Sequence, residues 1–205
     1  MDGSIDLAYP FRGRWLVQNS PANRVPSHGT DAFATAYAID FVSVDERGRS
    51  ARITAQSLFH PDPAERFPGF RRPILAPIDG RIVAASSTQP DHPAYRGFPS
   101  IGYALSQRRR IQAGWPALAG NHVFLETAEG IIVALCHLQQ ASITAKIGDR
   151  IHTGEPIARC GNSGNSTEPH LHIQAIDTAD IARARAVPMT FNGALPRNGD
   201  VVTAR

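Results

Sequence analysis

Apolar residues come in this chain as short β-prone bursts, each stopped by Gly, Pro, Asp or Asn, and seldom at the three-to-four-residue spacing of an amphipathic helix. AYAIDFVSV (36–44) alternates as a strand does, with Ala38 and Asp40 on one face and Tyr37, Ile39 and Phe41 on the other. ARITAQSLF (51–59) predicts a weaker strand. ILAPIDGRIVAAS (74–86) divides into two β-prone pieces around a Pro-x-Asp-Gly turn. NHVFLETAEGIIVALCHL (121–138) predicts a hairpin whose turn is centred on Ala128, Glu129 and Gly130. KIGDRIHTGEPIARCG (146–161), a second strand–turn–strand unit, and HLHIQAID (170–177) complete an all-β, antiparallel core.

Two stretches break the rhythm. HPDPAERFPGFRRP (60–73) is a Pro-rich surface loop, and residues 88–120 form a long insertion with room for one short helix around YALSQRRRIQAG. Long insertions in a compact β-domain often wall a cleft, so substrate contacts are expected there. A length of 205 residues suits one domain, 1–205, with its core at about 28–191.

Composition narrows the picture further. Hydrophobic residues at 42% and charged ones at 19% describe a folded chain rather than a disordered one. The net charge of +3 is carried almost wholly by Arg, since Lys146 is the only lysine, and the run Arg108, Arg109, Arg110 has no interleaved aromatics for stacking on bases. A solvated face is expected, and no nucleic-acid partner. There is no window of 18 apolar residues to span a membrane, and MDGSIDLAYPF lacks the basic and apolar regions of a secretory signal, so the chain as written is expected to start in the cytoplasm. Cys136 and Cys160 are too few for a disulfide framework and are expected as buried free thiols, Cys136 pointing from its strand into the core and away from His137.

Chemistry enters with PHLHIQ (169–174). Residues two apart on a strand share a face, so His170 and His172 form a two-nitrogen platform, or simply two imidazoles on a polar face. A catalytic zinc site takes three protein ligands from His, Asp or Glu and leaves the fourth position open. Eight histidines are available. His60 and His92, beside prolines, are expected to be solvated, His122 to be structural or to support a ligand, and His152 to lie on the surface.

Taken in order, SHG (27–29), YAIDF (37–41), LAPIDG (75–80), GNHVFLE (120–126), CHL (136–138), IGDRIHTGEPIARCGNSGNSTEPHLHIQ (147–174) and ARARAVPMTF (182–191) resemble the M23 peptidase family, the LytM/lysostaphin-type zinc metallopeptidases. The strand–turn–strand units at 74–86 and 146–161 likewise resemble barrel-sandwich folds. The resemblance implies an antiparallel LytM-type fold and one Zn2+ held by His28, Asp40 and His172. His137 and His170 would be the unligated catalytic pair. It implies a monomeric metalloendopeptidase whose substrate is peptidoglycan stem peptides or cross-bridges, in a family usually found outside the cytoplasm. The spacing departs from the family pattern, where the first histidine and the aspartate are commonly four apart: His28 and Asp40 are twelve apart, and Asp31 is a rival for the same role. GNSGNST (161–167) is read as a tight turn before the ligand strand.

Three other functions share this architecture. A catalytically inactive LytM-like binding or regulatory module would have lost ligands, whereas all five expected positions are filled. A phosphohistidine carrier would not need the trio His28, Asp40 and His172. A lipoyl or biotinyl carrier needs a lysine in the hairpin turn, and Lys146 lies before that unit.

Overall fold

The computed structural model describes residues 3–105 and 107–205; within that span the side chains of Ala104, Gln107 and Arg108 lie outside the description. The chain opens with β1 (Ile5–Leu7), β2 (Gly13–Gln18) and β3 (Ile39–Ser43). Next come α1 (Ala55–Phe59), β4 (Pro73–Leu75) and β5 (Gly80–Ser86), then α2 (Phe98–Leu105), α3 (Gln107–Gln112) and α4 (Trp115–Ala119). The rest is β: β6 (Asn121–Glu126), β7 (Ile132–Leu138), β8 (Arg150–Ile151), β9 (Pro156–Arg159), β10 (Leu171–Ile176), β11 (Ala186–Val187), β12 (Met189–Phe191) and β13 (Val201–Ala204).

The all-β, antiparallel expectation holds. The main sheet runs β13-β2-β3-β10-β7-β6-β5-β8, all antiparallel, with β11 added beside β10. Its centre is the strand trio β3, β10 and β7, whose residues are buried throughout. One face of the trio supplies Ile39, Phe41, Val133, Leu135, Leu171 and Ile173 to the principal core. Against it pack residues from before position 28, including Leu7, Phe11 and Trp15, with the Phe11 and Trp15 rings stacked at 4.5 Å. Strands on both sides of the 28–191 stretch therefore join the same sheet, β2 and β13 forming its edge.

Three expectations are corrected. Residues 55–59 are helical, because Thr54 and Ser57 form a reciprocal capping box that satisfies orphan donors of a first turn. The insertion holds three helices instead of one; its Gly and Pro content reads as loop, yet Gly114 and Gly120 delimit α4 and Pro116 sits in that helix's first turn, where no N–H is needed. The units at 74–86 and 146–161 do not close as hairpins but pair crosswise, β4 with β9 and β5 with β8. Their turns clasp each other: the Asp79 carboxylate accepts from Thr153 N at 2.8 Å and Thr153 Oγ1 at 2.7 Å, and Gly154 N donates to the Ala76 carbonyl at 2.9 Å. Residues 60–73 form a surface loop with anchors, since Asp62, Ala64 and Phe67 are buried.

Trp15 is wholly buried at the interface of the N-terminal segment and the central trio. Trp15→Ala is expected to cost about 3–5 kcal/mol, the usual range for removing a large core aromatic, read as a lower urea midpoint with an unchanged slope.

Candidate metal centre

The face of β3 and β10 opposite the core carries the polar side chains. Alternation sends Ile39 and Phe41 into the core and Asp40 and Val42 into a groove; on β10 it sends Leu171 and Ile173 inward and His172 outward with its neighbour Gln174. Register then sets His172 directly opposite Asp40. His28 arrives from the loop before β3. The result is a cluster in which His28, Asp40 and His172 each offer one ligand atom, all within 4.8 Å of one another. His28 Nε2 lies 3.0 Å from Asp40 Oδ2, and His172 Nδ1 lies 2.9 Å from Asp40 Oδ1. Asp31 is exposed before a 3-10 turn, outside this cluster.

Hydrogen bonds on the far side of each ring assign its tautomer. Gln174 Nε2 donates to the Phe33 carbonyl at 2.9 Å, so its Oε1 faces His172 and accepts from Nε2–H at 3.0 Å. Ser27 Oγ donates to the Thr35 carbonyl at 3.2 Å and so accepts from His28 Nδ1–H at 2.9 Å. Both histidines are thereby left with a lone pair aimed at a carboxylate oxygen. Two nitrogen acceptors facing one carboxylate at 3 Å require a cation between them, a proton for each ring or one metal ion for all three groups. The set of two imidazoles and one carboxylate is the composition of a zinc donor trio.

The pKa directions agree with this demand for positive charge. Burial alone would raise the Asp40 carboxyl, but the facing His28 and His170 and the hydrogen bonds from His172 and His28 hold it well below the usual carboxylate range. Burial works against protonation of His28, and the adjacent Asp40 overcomes it and raises the imidazole's pKa. Asn19, missed in the sequence, also donates to Asp40 Oδ2 at 2.7 Å.

His137 and His170 stand beside the trio, their rings 4.6 Å apart, with His137 5.8 Å from His172. His170 Nδ1–H donates to the Glu168 carbonyl at 2.8 Å and His137 Nδ1–H to the Ser163 carbonyl at 2.9 Å. Each is left with a bare Nε2, and that of His170 is 3.8 Å from Asp40 Oδ1. His137 reaches the groove through a β-bulge: between the Val123–Leu135 and Asn121–Leu138 pairs, β6 has one residue and β7 has two. His137 occupies the left-handed region at φ 61°, a conformation that costs free energy for a non-glycine residue. Cys136 is fully buried in the second core cluster, as expected, but the bulge leaves it on the groove side with His137 instead of on the opposite face. Both thiols are buried and free.

The loop 161–167 holds this arrangement as a turn. Ser163 Oγ donates to the Leu138 carbonyl at 2.8 Å and accepts from Asn121 N at 3.0 Å, while a Cβ on Gly164 would collide with the backbone of Gly120. The insertion walls the groove, a cavity of about 990 Å³, with Tyr103, Ile111, Trp115 and Leu118 among its lining residues. His92 is not simply solvated: it lies 3.0 Å from the Gly164 carbonyl and packs against the stacked pair Tyr95 and Tyr103. His60 and His152 are exposed, and His122 is buried, its Nδ1–H on the Gly120 carbonyl at 2.8 Å. Of the supporting groups, only Gln174 had a signal in sequence, lying two residues beyond His172 on the same strand face. Asn19 and Ser27 had none.

Residues 103–182 match the profile of Peptidase family M23. That stretch, 80 of the chain's 205 residues, is an M23-family region. The matched span holds His137, His170 and His172, and His28 and Asp40 precede it. The chain is 30% identical over 89 residues, 43% of its length, to the glycyl-glycine endopeptidase ALE-1 of Staphylococcus capitis, of which the match spans 24%. It is 30% identical over 100 residues, 49% of its length, to the peptidoglycan DD-endopeptidase ShyC of Vibrio cholerae, of which the match spans 22%. The matches thus span about a quarter of these curated relatives. Among solved structures, the catalytic domain of lysostaphin from Staphylococcus simulans aligns over 73% of this chain and 74% of its own, with TM-score 0.42 and 19% identity. The deep-sea M23 metalloprotease pseudoalterin aligns over 98% and 95%, with TM-score 0.49 and 13% identity.

Burial lowers the pKa of His122, and burial together with the neighbouring His170 and His172 lowers that of His137 well below its ordinary value. At these two positions the unfolded chain binds more protons than the folded one below a pH of about 6.5, so their contribution to stability is lost as pH falls through that value, whereas the raised pKa of His28 acts in the opposite sense. His122→Phe, which keeps the ring and removes the titration, is expected to flatten this slope in urea melts between about pH 5 and 7.

Proposed function

We propose that this chain is a zinc-dependent metalloendopeptidase that hydrolyses peptide bonds in the stem peptides or cross-bridges of peptidoglycan. The reading rests on one observation above the others: two imidazole lone pairs and a carboxylate converge at one wall of a groove, with two further bare imidazole nitrogens beside them. In this reading His28 Nε2, a carboxylate oxygen of Asp40 and His172 Nδ1 hold the metal. Zinc so held polarises the scissile carbonyl and lowers the pKa of a water from near 16 toward about 7.

The chain's own groups do the rest. His170 Nε2 and His137 Nε2 accept a proton from the attacking water; once protonated, each can donate to the developing oxyanion or the leaving amine. Their Nδ1–H bonds to backbone carbonyls keep the bare nitrogens turned to the groove. The low pKa of His137 keeps it neutral as a base at physiological pH. The groove walls orient an extended peptide and exclude bulk water. The whole of residues 1–205 acts as a single M23-like domain and as a monomer, with the wall polymer as its partner. No helix among the described residues is long and apolar enough to cross a membrane. The substrate lies in the cell envelope, as does the work proposed for the chain.

Purified protein is expected to carry about one zinc per chain, and His172→Ala and Asp40→Ala little, measured by elemental analysis. A full zinc complement in both variants would overturn the metal assignment. Gln174→Leu frees the His172 tautomer and is expected to weaken zinc binding by about 10–100-fold in a chelator competition, with Gln174→Glu restoring most of it. His137→Ala and His170→Ala are expected to keep their zinc and to lose about 10²–10⁴-fold in the rate of turbidity loss of purified sacculi. A zinc-loaded parent that clears no peptidoglycan would instead mark the chain as a binding module.

A further inference from the structure

The helices of the insertion also expose apolar side chains beyond the groove, although Leu105 and Ile111 at their far end line it. In α2, Phe98, Ile101 and Leu105 recur at i, i+3 and i+7, the spacing of one helix face, but they are 64%, 57% and 79% exposed. The helix turns Phe98 and Ile101 outward, the inverse of a helix packed on a core, while Tyr103 and the exposed Leu105 border the groove. The stripe is extended by α1: the Phe59 and Phe98 rings lie 5.5 Å apart, with Phe59 63% exposed. Arg96 ties the segment before α1 to the same edge by donating to the Ala51 and Arg52 carbonyls at 3.4 and 3.2 Å, which brings the exposed Ile53 alongside. Among the described residues, seven of the ten large apolar side chains that are exposed fall in 53–59 or 98–111. Single exposed hydrophobics need no explanation, but a contiguous ridge does.

The charge around the ridge says what covers it. From residue 92 to 125 the sequence has no Asp or Glu and four Arg, and from 47 to 60 it has no Asp or Glu and three Arg. Arg52 beside Ile53, and Arg109 on α3 just beyond α2, are both exposed. Arg96 at this edge is neutralised by the buried Asp62 and Arg49 by Asp45, which leaves the exposed Arg52 and Arg109 as the cations that flank the ridge. An apolar helix face flanked by exposed guanidinium groups is the composition of a segment that lies in the interface of an anionic bilayer, with aromatic and aliphatic tips in the acyl boundary and guanidinium groups among the phosphates. A second protein surface would more often be met by charges of both signs.

We propose that the α1–α2 ridge docks this chain on an anionic lipid bilayer surface, a binding site separate from the metal centre and independent of whether that centre hydrolyses peptides. The test is co-sedimentation of the full chain with phosphatidylcholine vesicles, with and without about one-third phosphatidylglycerol. Partitioning is expected to be at least about tenfold higher on the anionic vesicles and to weaken as salt rises. The triple variant Phe59→Ser, Phe98→Ser, Ile101→Ser is expected to abolish it while the thermal midpoint stays put, since all three side chains are already exposed. Arg109→Gln, a milder change, is expected to lower partitioning roughly fivefold. Equal binding to both vesicle types, or a triple variant that binds like the parent, overturns the proposal. So does an absence of vesicle binding accompanied by self-association that the triple variant loses, which would make the ridge a face for a second copy.

Discussion

A buried carboxylate organises this protein. Asp40 lies on a central strand, almost removed from water, and such a charge is tolerated only with partners close at hand. His28, His172 and Asn19 supply them within 3.0 Å, each from a different part of the chain. Antiparallel register brings His172 across from Asp40, the Phe33 carbonyl fixes Gln174 and through it His172, and Ser27 fixes His28. The arrangement is a trio of donor groups that could hold a metal ion, and the strand order β3-β10 is what brings two of them face to face.

The apolar side of the same strands explains why that place is rigid. Each residue that faces the groove is flanked in sequence by one in the principal core, so moving a donor means moving a core side chain. Leu171 and Ile173 lock His172, and Ile39 and Phe41 lock Asp40. The aromatic cluster around Phe11, Phe41 and Phe191 backs this from below, with Phe41 and Phe191 edge to face at 5.2 Å. Stability and site geometry are in this way the same set of contacts seen from two sides of one sheet.

Period-two alternation made the central strands and the groove face of Asp40 and His172 legible in the sequence, because β3 and β10 obey it without interruption. His137 was expected in the groove and lies there, but the placing of Cys136 on the opposite face was misread in the same terms, since a bulge cancels alternation and leaves no mark in residue type. The twelve-residue interval between His28 and Asp40 was legible only as a departure. In three dimensions it is a loop whose 3-10 turn buries Ala34 in the second cluster and whose Phe33 carbonyl is tied to Gln174, so its length is taken up in packing. Of the helices at 98–119 only one short helix was legible, for a different reason: an outward apolar stripe on a short helix looks, in sequence, like the polar-poor part of a loop. Asn19 and Ser27 could not be found at all, since their role depends on contacts across the fold.

The bulge at His137 carries one more consequence. On a pleated strand the face a side chain occupies is a matter of parity, and Asp40, His170, His172 and Gln174 all keep to even numbers along strands that never skip. β7 skips once, so two successive side chains, Cys136 and His137, reach the groove, and Leu138 resumes its place in the core. The position of His137 is therefore discrete in chain length: taking one residue out of the bulge would not nudge the imidazole aside but exchange it for a hydrocarbon. A site assembled by counting in this way has no intermediate forms, and drift in the identity of its neighbours is far easier to absorb than a change of one in their number.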